Sequence, residues 1–252
     1  MDIKGTLISS TSDEHGPIYV YQNRTSRILS FDGKIYQSSM KLNNTNGLHL
    51  SYTQAMMAGL LFIPKIHTAT LVGLGAGSMV KSLLSSFSDI QVHAIECRES
   101  VVKAAKEYFF IPETERLTIH VDNGINYMKN TQIKSDIIFS DLYNSDGMEP
   151  MQVDAAYLEC CKKALNKQGI LVLNIWHNTI ASKDELDKLL AMEFKNRSIV
   201  FDVESGNTIA LLFKNELPTI DIETLIAKTQ WLEEKMNISI EKYVQLIAKN
   251  LG

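Results

Sequence analysis

The residue best placed for chemistry in this chain is Asp141, which closes the apolar stretch Asp-Ile-Ile-Phe-Ser. A carboxylate after such a run can hold an ammonium group or accept a proton from an attacking amine. Upstream, Gly73, Gly75 and Gly77 sit between a β-branched run and a helical pattern. Bare Cα positions there let backbone N–H groups and a helix N-terminus come close to a bound ligand. Their spacing is GxGxG, and Ser78 stands where a dinucleotide fingerprint would place its last Gly or Ala. Glu96 ends the next apolar run, Gln-Val-His-Ala-Ile-Glu, with Cys97 directly after it. That lies about twenty residues beyond the glycines, where such folds set an acidic side chain against a ribose diol. Asp122 and Asn123 follow a third run. Either could accept the amino protons of an adenine, and either could instead cap the next helix as an Asx turn. Asp146 and Glu149 add acid to the loop after Asp141, but such loop carboxylates are usually solvated and rank below it.

These candidates need elements that bring strand ends together. Strand-like runs fall at 69–74, 91–96, 117–121, 136–141, 169–176, 198–203 and 208–213, with helical periodicity at 79–87, 100–108, 124–130, 153–165 and 183–192. Repeated β/α alternation followed by two strands joined at Ser205-Gly206-Asn207 predicts a mostly parallel α/β sheet with an antiparallel edge hairpin, the Rossmann-like methyltransferase arrangement. Ligands of such sheets bind beyond the carboxyl ends of the strands, so Gly73, Glu96, Asp122 and Asp141 should face one crevice. Before the sheet, Ile18 to Tyr21, Arg27 to Phe31 and Lys34 to Gln37 read as a small antiparallel layer, with Asp32-Gly33 as a hairpin turn. Asn43 to Gly47 is a loop, and Leu50 to Phe62 a helix ended by Pro64. Beyond Pro218 the pattern is helical, at 221–235 and 240–250. The expected organisation is a β-hairpin domain over 1–48, a nucleoside-binding domain over 49–217 and a helical appendage over 218–252.

Composition is that of a globular protein: 252 residues, 45% hydrophobic and 21% charged, with a formal net charge of -4. No Lys/Arg run supports a nucleic-acid partner, and no apolar stretch suits a signal peptide or a membrane span. A cytoplasmic location is the expectation. Three cysteines, Cys97, Cys160 and Cys161, and scattered histidines give neither a disulfide framework nor a metal-ligand spacing, so no metal is expected.

Taken in order, Phe-Asp-Gly-Lys-Ile-Tyr-Gln, Leu-Ser-Tyr-Thr-Gln, the glycine loop, Ile-Glu, His-Val-Asp-Asn-Gly-Ile-Asn-Tyr-Met and Ser-Asp-Leu-Tyr resemble the spermidine synthase (polyamine aminopropyltransferase) family over nearly the whole chain. The resemblance implies polyamine biosynthesis, with decarboxylated S-adenosylmethionine, or S-adenosylmethionine itself, as co-substrate, a small-molecule amine as acceptor, and a homodimer. It implies that Glu96 binds ribose, that Asn123, with Asp122 as a stand-in, binds adenine, and that Asp141 is the base. Gln37, Tyr52, Tyr143 and Asn144 fall at substrate-lining positions. Three positions depart from the family: Ala76 replaces an Asp that holds the amine of the aminopropyl group, Asn144 replaces a second diamine-binding Asp, and Thr53 replaces a glutamine. Aminopropyl transfer is therefore the first expectation, and S-adenosylmethionine-dependent methyl transfer the second. A non-catalytic binding protein that keeps the fold is the alternative from another class, and Ser78 makes an NAD-dependent dehydrogenase the weakest reading.

Overall fold

The computed structural model describes residues 3–144, 147–176, 183–195 and 197–251. Its first layer is an antiparallel sheet in the order β1 (Thr6–Asp13), β2 (Gly16–Gln22), β3 (Ser26–Ser30) and β4 (Ser38–Lys41). Strand β1 has no apolar alternation and is largely exposed, so its sequence carries no strand signal. The strand expected over Arg27 to Phe31 is β3, but the fourth strand lies later than expected. Lys34 to Gln37 is loop, because Asp32 turns inward on its own backbone: its Oδ1 accepts N–H groups of Lys34 and Ile35, both at 2.8 Å. With only Gly33 at positive φ, the two-residue hairpin gives way to a longer turn closed by Gln37 N–H on the Leu29 carbonyl at 3.0 Å.

The chain then enters α1 (Ser51–Met56), runs on as a 3-10 turn over Met57–Phe62, and forms β5 (Thr68–Val72). There follow α2 (Ser78–Ser86), β6 (Gln91–Glu96), α3 (Glu99–Phe109), β7 (Leu117–Val121), α4 (Gly124–Asn130) and β8 (Ser135–Ser140). A two-strand ribbon, β9 (Tyr143–Asn144) and β10 (Gly147–Met148), occupies the loop after β8. Next come α5 (Ala155–Ala164), β11 (Leu165–Trp176), α6 (Lys183–Phe194), β12 (Ser198–Val203) and β13 (Asn207–Phe213). The seven strands β5 to β8 and β11 to β13 form one sheet in the order β12-β13-β11-β8-β5-β6-β7. All its pairings are parallel except β11–β13 and β12–β13, which make the antiparallel edge. The mostly parallel α/β sheet, the small antiparallel layer before it and the helices after it are as the pattern predicted.

Burial explains the sheet's apolar strands. Every residue of β13 is buried, as are four of the five in β5, which suits strands covered on both faces. Val80, Leu83, Ala105, Val172 and Leu211 share one core, and Leu158, Leu171, Leu173 and Leu190 lie in a second. The small sheet packs through Ile18, Val20, Leu29 and Met40 against Val101, Ala104 and Phe109 of α3. An ion pair locks this joint: Arg98, at the entry to α3, holds Asp13 at 2.8 Å and stacks over Phe31. Burial opposes the ionised form of Asp13, yet hydrogen bonds from Arg98 and the His15 N–H hold its pKa below the usual carboxylate value. The closing helices α7 (Ile222–Met236) and α8 (Glu241–Leu251) pack on the 3-10 turn, α2 and β12. Among the described residues no helix is long and apolar enough to cross a membrane.

Candidate active site

The chain runs from β5 outward to β6 and β7, then crosses back to β8 on the other side, so β5 and β8 flank the point where strand order reverses. Their carboxyl ends open a crevice there, as open α/β sheets do. At its floor the Asp141 N–H bonds to the Val72 carbonyl at 2.9 Å, which sets Asp141 beside the glycine turn. Gly73 has φ +103°, and a Cβ there would lie 2.2 Å from the Asp141 carbonyl oxygen, so no other residue fits. A Cβ on Gly75 would lie 2.6 Å from Ser38 Oγ. Ser38 reaches over from β4, and its Oγ accepts the Ala76 N–H at 3.1 Å. Gly73 and Gly75 line the crevice. Gly77 does not: it is the left-handed cap of α2, packed on Ile111. Ala76 is also outside the lining, fully buried in the core of the small sheet.

One end of the crevice gathers the groups expected around a nucleoside. Glu96 is nearly buried, its Oε2 facing the N–H groups of Leu74 and Gly75 at 3.3 and 3.4 Å and its Oε1 accepting the Arg98 N–H at 3.1 Å. These bonds tie the carboxylate to the glycine turn and aim it along the crevice wall. The exposed Cys97 thiol points at Glu96 Oε1 from 3.6 Å. Burial and the neighbouring Glu96 carboxylate push its pKa up to about 11, so it stays a neutral thiol. Asn123, Gly124 and Ile125 complete this end, whereas Asp122 is exposed and not among the lining residues. Asn123 Oδ1 is already engaged as the cap of α4, accepting from Ile125 and Asn126 N–H at 3.0 and 3.1 Å. Its amide NH₂ is the group left over for a ligand.

The other end is built around Asp141. Its Oδ2 faces the Tyr52 hydroxyl at 3.3 Å and its Oδ1 accepts from Asn174 Nδ2 at 2.7 Å. Burial pushes its pKa up to about 6, and the bonds from Asn174 and Tyr52 only partly oppose that rise. Burial, with the Asp141 charge beside it, raises the phenol pKa of Tyr52 and likewise of Tyr143, so both remain neutral. Tyr143 and Trp176 form an aromatic wall, their rings 6.1 Å apart. Gln152, fully buried, braces the turn: its Oε1 accepts from Ser140 Oγ at 2.8 Å and from the Leu142 N–H at 2.9 Å, while its Nε2 donates to the Asn174 carbonyl at 2.8 Å. Gln37 and Glu149 also line the crevice. Asn144 contributes its backbone to β9, and Asp146 lies outside the described residues.

The crevice holds about 390 Å³, within the range of about 300–1,000 Å³ usual for small-molecule sites. A bare main-chain turn, a tethered carboxylate and a cleft that also takes in Asp141 suit a nucleoside with a side arm reaching that residue. Among the described residues no cluster of three or more His, Cys, Asp or Glu could hold a metal. Residue type and spacing alone do not single out Ser38, Arg98, Gln152, Asn174, Trp176, Ser205 and Asn207 as site residues. Asn174 carried a usable signal, being an amide inside the apolar run of β11, where an unpaired polar group is costly and therefore has a partner.

Residues 49–200 match the spermine/spermidine synthase domain. A polyamine aminopropyltransferase of Neisseria meningitidis is 27% identical over 219 residues, 86% of this chain and 83% of that protein. A probable spermidine synthase from Corynebacterium glutamicum superposes with a TM-score of 0.77 at 18% identity, covering 90% of this chain and 88% of that one. Human methyltransferase-like protein 13, solved with SAH, superposes with a TM-score of 0.67 at 21% identity, covering 76% of this chain and 94% of that one. Both solved neighbours share the methyltransferase fold.

Proposed function

The chain belongs to the spermine/spermidine synthase domain family, and on that premise we propose that it transfers an alkyl group from a sulfonium nucleoside to a small amine. The observation that carries this reading is one crevice with Glu96 at the glycine turn and Asp141, between Tyr52 and Asn174, at the other end. In the reaction the amine nitrogen attacks the carbon bound to sulfur. A C–N bond forms, the C–S bond breaks with its electron pair passing to sulfur, and the proton lost from nitrogen goes to Asp141. Cationic sulfur is already a good leaving group, so the chain's contribution is in-line placement and removal of that proton. A carboxyl with a pKa of about 6 is ionised at neutral pH yet close enough to it to take a proton efficiently.

The acceptor is an amine, held by Asp141 with Glu149 as a second carboxylate and with Tyr143 and Trp176 as an aromatic face for its cationic or apolar portion. Aminopropyl transfer from decarboxylated S-adenosylmethionine is the first form of the proposal. Methyl transfer from S-adenosylmethionine is the second, favoured because position 76 is Ala and lacks the carboxylate of the aminopropyltransferase pattern. A homodimer acting in the cytoplasm completes the reading, and light scattering on the purified chain checks the assembly.

The deciding assay incubates the protein with either donor and a panel of mono- and diamines, and follows nucleoside release by chromatography. Methylthioadenosine from the decarboxylated donor supports aminopropyl transfer, and S-adenosylhomocysteine from the other supports methyl transfer. Release of neither, with any amine, refutes the enzyme reading and favours a non-catalytic binding protein.

A further inference from the structure

Three neighbouring strands bring a line of amides to Asp141. Leu173 pairs with Ser140 in the parallel register of β11 and β8, so Asn174 emerges beside Asp141. On the antiparallel side Asn174 pairs with Ile209 and Trp176 with Asn207, which sets Asn207 diagonally across from Asn174 on one face of the sheet. The resulting chain is continuous. Ser205 Oγ donates to Asn207 Oδ1 at 2.7 Å, Asn207 Nδ2 to Asn174 Oδ1 at 2.9 Å, and Asn174 Nδ2 to Asp141 Oδ1 at 2.7 Å. The two amides are 1% and 4% exposed, so water has little share in these bonds. Beyond Ser205, Glu204 in the same turn accepts from Tyr243 Oη at 3.0 Å and pairs with Lys242, tying the far end to α8.

An ionised carboxylate can only accept, so Asn174 must present its NH₂ to Asp141 and its carbonyl to Asn207. Asn207 must then present its NH₂ to Asn174 and its carbonyl to the Ser205 hydroxyl. Every donor in the line points toward the carboxylate, and neither amide can turn over alone without opposing two like groups. We propose that Asn207, which does not touch Asp141, acts with Asn174 as a positioning residue: the one-way chain occupies Oδ1 and leaves Oδ2 as the oxygen that receives the acceptor's proton. Among the described residues Oδ2 has only the longer 3.3 Å contact with the Tyr52 hydroxyl to give up. This inference rests on the amine-alkylating reading for what the proton comes from, but the chain and its effect on Asp141 are properties of the protein alone.

Among the described residues the groups facing Asp141 are Tyr52 from α1, Tyr143 from β9 and Asn174 from β11, with Glu149 lining the same crevice. Asn207→Asp replaces none of these residues, although Asn207 also lies beside the Tyr143 hydroxyl. The new carboxylate would face the Asn174 carbonyl, force that amide over, and turn its oxygen onto Asp141 Oδ1. The Asp141 carboxyl carbon is followed by ¹³C NMR through a pH titration, its signal assigned by its absence from Asp141→Asn. Asn207→Asp is expected to raise the Asp141 midpoint by about one unit or more and to move the acid limb of kcat/KM upward with it. Asn207→Ser, which frees the amide without adding charge, is expected to move the midpoint the same way by less, and it decides the matter if Asn207→Asp does not fold. An unchanged midpoint in a folded Asn207 variant overturns the inference. The titration needs no substrate, so a protein that alkylates no amine yet shows the shift would lose the proposed function and keep the chain.

Discussion

Replacing Asp141 by Asn should stabilise the protein while disabling it, and the direction follows from the carboxyl's environment. Burial raises its pKa from 3.8 to about 6. Below pH 3.8 the group is protonated in both the folded and unfolded chain and contributes nothing. Between 3.8 and about 6 the folded protein keeps a proton that the unfolded chain has released, so stability falls as pH rises, and above about 6 the full penalty applies. Two pKa units correspond to about 3 kcal/mol, an upper limit because the half-buried carboxylate still meets water in the open crevice. The Asn side chain can satisfy the same partners, its oxygen accepting from Asn174 and its NH₂ donating to the Tyr52 hydroxyl. Asp141→Asn should therefore gain about 1–3 kcal/mol at pH 7.5, which is several degrees in Tm at about 2–4 °C per kcal/mol for a chain of this size. Near pH 4 the gain should vanish. Turnover should drop about a hundredfold or more, as for other lost general bases. Scanning calorimetry at the two pH values and the product-release assay read both effects. A folded variant that melts at or below the parent at pH 7.5, or one that turns over normally, would refute the assignment of Asp141 as a strained base.

Tyr52→Phe removes a donor from Asp141 Oδ2, leaving burial less opposed, so the acid limb of the pH–rate profile should move up and kcat/KM at pH 7 should fall; an unmoved limb would put Tyr52 outside the proton path. Gly73→Ala must place a methyl group against the Asp141 carbonyl at φ +103° and should cost at least about 1–3 kcal/mol in urea unfolding, with loss of activity; a variant as stable and active as the parent would contradict the glycine-turn geometry. Arg98→Ala strands the Asp13 carboxylate, whose side chain is 12% exposed, and should cost about 3–5 kcal/mol near pH 7. Because the pKa of Asp13 lies below its unfolded value, that cost should shrink as pH falls through the folded pKa, and a cost independent of acidification would mean the ion pair does not hold the small sheet in place.

The strands of the main sheet could be read from sequence because burial on both faces makes them near-continuous apolar runs, as in Ile137, Ile138 and Phe139 or in Ile209 to Phe213. Strand β1 could not, since its Thr, Ser and Asp residues face water, and the Asp32 turn was misjudged because the side chain's own hydrogen bonds outweigh the Asp-Gly hairpin preference. Glu96 and Asp141 stood out as charges ending apolar runs, and the fold brings both into one crevice. Asp122 also ends an apolar run and Gly77 belongs to the same glycine series, but Asp122 faces solvent and Gly77 caps α2 against Ile111, a distinction set by the fold rather than by spacing. Asn174 and Asn207 were hidden for the opposite reason: their partners lie on neighbouring strands 33 residues apart in sequence, and only the sheet register joins them.

Glu96 and the glycine turn should grip an adenosine-bearing molecule whose sulfur end reaches Asp141. Titration calorimetry with methylthioadenosine, S-adenosylmethionine and its decarboxylated form tests it most directly. Saturable one-to-one binding of at least one of the three is expected, weakened about 10- to 100-fold by Glu96→Gln, the worth of one charge-assisted hydrogen bond. Absence of saturable binding by all three, or equal affinity in the folded Glu96→Gln protein, would contradict it.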